Sequence, residues 1–288
     1  MNGPRKSTRP ERDLVVLIAS DVAGLVSHDV ERRDGKFGFP SARQSLNTQG
    51  ETYMTYTRRA FVGTTAALTM AGAAAARAQD LCSVFTADRQ KAMTPDSALQ
   101  ALKDGNARFV SGKPIHCDER AHVLATSTGQ YPFAAIVGCI DSRVPPEIVF
   151  DLNLGDAFAA RIAGNFVNTD IIGSLEFATK LAGAKVIVVL GHTGCGAIKG
   201  AVDGAKLGNL TAMLQNFAPA LAATAGVAGD RNSKNYKLVQ AVADSNVVIA
   251  AKQLVEKSDV LRELVESKAL KIVSAMHDIE TGKVTFSA

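Results

Sequence analysis

The apolar pattern of this chain changes character along its length, and those changes predict its elements. Residues 1–53 carry short apolar patches among Arg, Gly, Pro and Ser without a sustained period. Such a stretch predicts a disordered extension, or an untranslated one if synthesis starts at Met54. From residue 94 the pattern is regular. Thr94-Pro95-Asp96 reads as a helix start, with Leu99, Leu102, Phe109 and Val110 on one face, and Gly112 and Pro114 as its end. A vaguer helix follows near 118–128. "PFAAIVGC" (132–139) is an unbroken apolar run, which predicts a buried parallel strand. "EIVFDL" predicts a short helix or turn, and "DAFAARIAG" (156–164) a second strand. "DIIGSLEFATKLAG" (170–183) predicts a helix closed by Gly183. "KVIVVLGH" (185–192) is the most apolar strand of all. A long helical region, interrupted near Gly226 and Gly229, leads to two amphipathic helices and a closing hairpin around Thr281-Gly282. Strands alternating with helices predict an α/β fold, a mainly parallel central sheet flanked by helices.

Composition changes this little. The 288 residues carry a formal net charge of +4, much of it near the N-terminus, which implies no nucleic-acid partner. Segment 54–78 adds more. Arg58-Arg59, a short Ala-rich stretch and Ala76-Arg77-Ala78 match a twin-arginine export signal. Cleavage after Ala78 would leave 79–288 as one domain with no permanent membrane span. The expected location is periplasmic or secreted, or cytoplasmic if the signal is not used. An oxidising compartment permits a Cys82–Cys117 disulfide; two idle surface thiols are the other reading. His116, His122 and His277 are expected on the surface.

The chemistry gathers at two strand ends. Cys139 closes the first strand; His192 and Cys195 close the third. In an open α/β sheet, ligands bind at the carboxyl ends of strands, so these side chains can converge. Two thiolates and an imidazole suit zinc, and three protein ligands leave a fourth position open, as in catalytic sites. Water there loses its proton near neutral pH and becomes a nucleophilic hydroxide. Asp141 is placed to accept a hydrogen bond from it, or to become a fourth ligand in a closed state. Arg143 can pair with Asp141 and keep it ionised. The glycines of "GHTGCG" fall as G-x-x-G-x-G, which is not the dinucleotide-binding spacing.

The stretch "GQYPFAAIVGCIDSRVPPEIVFDLNLGDAFAARIAGN" with "GSLEFATKLAGAKVIVVLGHTGCGAIKGA" resembles a β-class carbonic anhydrase. So do "ALKDGNARFVSGK" and "HDIETGKV", so that the likeness runs over about 94–285. It implies reversible hydration of carbon dioxide to bicarbonate and a proton, one zinc per subunit, and a homodimer or higher homo-oligomer. It implies Cys139, His192 and Cys195 as metal ligands and Asp141–Arg143 as a dyad. Gln130 matches a substrate-binding glutamine, Phe158 and Phe177 an apolar pocket, and Gly196 a backbone N–H facing substrate. Phe177 stands where relatives usually have Tyr, Ile140 where they have Ser, and Ile162 where Asn is common. The alternatives are a carbon disulfide or carbonyl sulfide hydrolase on the same fold, and a non-catalytic zinc-binding or thiol-sensing protein.

Overall fold

The computed structural model describes residues 43–46, 52–55 and 81–287. The chain divides into two units, residues 1–65 and 66–288. In the first, β1 (Arg43–Leu46) pairs antiparallel with β2 (Thr52–Thr55). This ribbon crosses the boundary placed at Met54; pairing four-residue strands needs no apolar period. The rest of that extension, the twin arginines and the cleavage site after Ala78 lie outside the described residues.

The first complete helices among the described residues of the second unit are α1 (Ala87–Ala92), α2 (Pro95–Val110) and α3 (Glu119–Thr126). Thr94 caps α2 through a reciprocal bond pair with Ser97, and Pro95 opens it, so the helix starts where the sequence places it. Then come β3 (Ala134–Gly138), α4 (Pro146–Val149), β4 (Ala157–Arg161) and α5 (Thr169–Glu176). After β5 (Val186–His192) follow α6 (Gly196–Val202), α7 (Gly208–Leu214), α8 (Ala218–Ala223), α9 (Tyr236–Lys257) and α10 (Asp259–Glu266). A hairpin of β6 (Lys271–His277) and β7 (Val284–Ser287) closes the unit.

The sheet order is β4-β3-β5-β6-β7, with every pair parallel except β6–β7. β3 and β5 are buried along their whole length, which is why both read as continuous apolar runs. Alternate residues face opposite layers. Ala134, Ile136, Val186 and Val188 pack with Ala98 and Leu102 of α2. Ala135, Val137, Ile187 and Val189 pack with Leu175 of α5 and with Val247 and Leu254 of α9. Helix α9 is long and apolar enough to cross a membrane, but its apolar residues form part of this core.

The chain leaves β3 toward β4, then returns across β3 to β5. The strand order therefore reverses between β3 and β5, and the crevice at their carboxyl ends is the favoured ligand position in such sheets.

Three features depart from the sequence reading or decide it. The helix expected over 170–183 changes to a π turn at Phe177–Leu181, where the Ala182 N–H reaches the Phe177 carbonyl. His122 and His277 are buried at 5% and 3% exposure instead of lying on the surface, whereas His116 is exposed. His122 Nε2 sits 2.6 Å from the Cys82 carbonyl, and the β5–β6 register sets His277 beside His192. Cys82 and Cys117 form a disulfide, Cα to Cα 5.4 Å, which excludes the idle-thiol reading.

Candidate metal centre

Cys139 follows the last residue of β3, His192 ends β5, and Cys195 stands just before α6. The sulfurs and one imidazole nitrogen of the three lie within 4.8 Å of one another, all buried. The sulfurs are 3.9 Å apart. Two thiolates on one tetrahedral zinc, at about 2.3 Å each, would sit about 3.8 Å apart.

The donors are prepared for an ion. His192 Nδ1 lies 3.0 Å from the Thr193 carbonyl, so the proton belongs on Nδ1. His192 Nε2 is then a bare acceptor, buried and without a partner. A buried lone pair costs free energy unless something fills it, and a metal ion would. Cys139 is the more acidic thiol of the pair. A hydrogen bond from the Cys195 thiol lowers its pKa most, burial opposes this, and the N–H groups of Gly164 and Asp141 lower it further. Sharing that proton, and burial, push Cys195 up. A bound dication would deprotonate both. This donor set fits zinc.

Asp141 stands over the cluster, its Oδ2 3.9 Å from His192 Nε2. Arg143 grips it with two side-chain bonds, Nε to Oδ1 at 2.9 Å and a terminal nitrogen to Oδ2 at 2.8 Å, and its backbone N–H adds a third at 3.0 Å. The guanidinium holds the Asp141 carboxyl well below the usual carboxylate range. Ile140 points outward, 60% exposed, so its replacement of Ser leaves the donors untouched.

Several contributors escaped the sequence reading. Arg161 donates to the Cys139 carbonyl at 2.9 Å and to the Asp141 carbonyl at 2.6 Å, clamping the turn between thiolate and dyad. The Gly164 N–H donates to Cys139 Sγ at 3.2 Å. Gly164 has φ +76°, and an added Cβ would meet Phe217 at 2.4 Å, so only glycine fits. The Ile162 N–H bonds the Gly138 carbonyl, a backbone contact that does not depend on the side chain at this position.

The remaining expected site residues are placed differently. Gly196 opens α6 beside Cys195 and is exposed. Phe158 and Phe177 stack edge to face, centroids 6.0 Å apart, in an open cavity of about 820 Å³ that none of the metal donors lines. Gln130 is exposed and precedes β3, whereas Cys139 follows it. The strand alone separates them by roughly 13 Å. One chain therefore does not bring Gln130 to its own metal cluster.

The comparisons agree with this geometry. The family model described as carbonic anhydrase matches residues 134–284. Carbonic anhydrase 2 of Mycobacterium tuberculosis is 34% identical over 197 residues, which are 66% of this chain and 91% of that protein. The β-carbonic anhydrase CafA of Aspergillus fumigatus superposes with TM-score 0.52 at 26% identity, over 67% of this chain and 89% of that one. A tetrameric β-carbonic anhydrase from Sordaria macrospora gives 0.52 at 25%, over 67% and 100%. With the buried Cys-His-Cys cluster at the switch point of a mainly parallel sheet, these matches show that the chain belongs to the β-carbonic anhydrases, lyases that hydrate carbon dioxide.

Proposed function

We propose that the chain hydrates carbon dioxide reversibly at a single zinc per subunit held by Cys139, His192 and Cys195. The observation that carries this is the buried donor triangle with an ionised, Arg-held carboxylate at its mouth. Zinc, when bound, supplies the Lewis acidity that makes water a nucleophile at neutral pH. The chain's own residues do the rest. Asp141 accepts a hydrogen bond from the attacking water and aims its lone pair. Arg143 keeps Asp141 charged and turned, which also restrains it from moving onto the metal. The test is stopped-flow hydration of carbon dioxide by the zinc-loaded chain, with carbonyl sulfide and carbon disulfide as competing substrates. Turnover of the sulfur substrates alone would move the assignment to a hydrolase on the same fold; none of the three turned over would favour a non-catalytic zinc protein.

The working unit in this reading is a homodimer or a larger even assembly. The position of Gln130, away from its own cluster, supports it: a second copy can supply the amide that holds substrate. Phe158 and Phe177 are likewise available to a neighbour, since the cavity between them is open and Phe177 is 51% exposed. Gln130→Ala alone is expected to lose about tenfold in activity, the scale of one substrate hydrogen bond. Co-expressing Gln130→Ala with Cys139→Ala should restore activity beyond either parent, because the mixed dimer contains one complete site. Purified mixed dimers no more active than Gln130→Ala dimers would refute sharing across the interface.

The mature protein is proposed to work outside the cytoplasm after twin-arginine export. Arg58-Arg59 motivates this, and the Cys82–Cys117 disulfide supports it, because such bonds persist in oxidising compartments. Replacing both arginines with lysine should hold the chain, uncleaved, in the cytoplasmic fraction. Unchanged periplasmic yield from that variant would eliminate this route.

A further inference from the structure

Helix α9 buries a single polar side chain within its apolar face: Asn246, 4% exposed, among Val242, Ala243, Val247 and Ala250. A buried amide is costly unless paired. The Asn246 Nδ2 donates to the Gly164 carbonyl at 2.9 Å, a contact spanning 82 residues of sequence. Gly164 is the residue whose N–H donates to Cys139 Sγ.

Gly164 is also the residue of this loop whose own backbone is least restrained by a side chain. It lies in the left-handed region, followed by Asn165 at φ +47°. Glycine there has little steric restraint of its own. Its N–H direction is set by what holds the segment on either side. Upstream, Arg161 and the Ile162 N–H tie the chain to Cys139, Asp141 and Gly138. Downstream, Asn246 holds the carbonyl. Hydrogen bonds to a thiolate sulfur draw charge away from it, so the aim of this N–H sets how much charge Cys139 gives a metal.

We propose that Asn246 is a positioning residue for the metal centre: by pinning the Gly164 carbonyl it aims the Gly164 N–H at the Cys139 sulfur and so tunes metal binding. The inference rests on the zinc reading above and extends it to a side chain that touches neither metal nor substrate.

The test uses the full chain loaded with cobalt(II), whose thiolate charge-transfer absorption reports charge on the sulfur directly. Asn246→Leu keeps the size and removes the donor. Asn246→Asp keeps the shape and turns the donor into an acceptor facing a carbonyl, and it serves where the leucine variant fails to fold. Folded variants are expected to shift the charge-transfer band to longer wavelength, as the sulfur loses a donor. Because the loop that holds Cys139 in place is released as well, the loss of ligand geometry should outweigh the stronger sulfur donor and weaken zinc binding about 10–100-fold against a chromogenic chelator. A purely structural role would lower the melting temperature and leave the band of the folded protein in place. That result, in a cobalt-loaded and folded variant, overturns the proposal. A wild-type chain showing no thiolate-to-cobalt band would instead overturn the metal assignment, and this proposal with it.

Discussion

Cys139→Ala is expected to abolish zinc binding and carbon dioxide hydration together, with activity falling to the uncatalysed background. The physical reason is donor count. The cluster offers three ligand atoms. Removing one leaves an imidazole and a single thiol, too few for a stable four-coordinate site. The lost sulfur is also the one that three other groups address, the N–H groups of Gly164 and Asp141 and the Cys195 thiol. Truncation leaves those donors facing a gap, so repair by Asp141 moving inward would have to break its three bonds with Arg143. Metal content per subunit and stopped-flow hydration on the same sample decide the matter. A zinc-free preparation that still hydrates carbon dioxide would falsify the metal mechanism outright.

Asp141→Asn should have a different signature: zinc retained, rate reduced by roughly 10²–10⁴-fold, the range for losing a positioned proton acceptor. Asparagine has the same shape, so the backbone turn is kept. Its amide nitrogen must nevertheless face either Arg143 or the cluster. Facing Arg143, it sets donor against donor and releases the guanidinium. Facing the cluster, it presents N–H where an acceptor is needed. The pH behaviour of the native residue sharpens this. Arg143 depresses the Asp141 pKa in the folded state. A depressed carboxylate pKa adds stability that is fully present above the unfolded value near 4 and is lost as pH falls through the folded one. Asp141 therefore stays ionised through the neutral and mildly acidic range, and an acid limb in the rate above about pH 5 has another origin. A variant that keeps both zinc and full rate would remove Asp141 from the mechanism.

The parts of this molecule legible in the sequence are those where local pattern and final environment coincide. The runs 132–139 and 185–192 are apolar because both sheet faces are covered, and they became β3 and β5. Cys139, Asp141, His192 and Cys195 could be placed together because strand ends in such sheets share an edge. Other features depend on what the folded chain puts next to a residue. His277 ends a strand and precedes a turn, which suits a surface position; only the register of β6 against β5 sets it beside His192. The Gly164 N–H is a backbone group with no sequence letter of its own. Asn246 reads as one polar residue in an amphipathic helix until Gly164 is folded against it. The Cys82–Cys117 pair could not be chosen over free thiols from spacing alone, since spacing does not give distance. The resemblance assigned Gln130 to substrate, but a sequence match does not say which copy of the chain such a residue would serve.

The reversal of strand order between β3 and β5 has a thermodynamic consequence. Cys139 and Cys195 are 56 residues apart along the chain, with β4 and α5 between their strands in sequence, and they meet only in the folded sheet. An unfolded chain has no such pocket to offer, so an ion that occupies it binds one side of the folding equilibrium almost exclusively. The ion then acts as a cross-link across a long loop, and chelation weakens the whole sheet as well as silencing the chemistry at its edge.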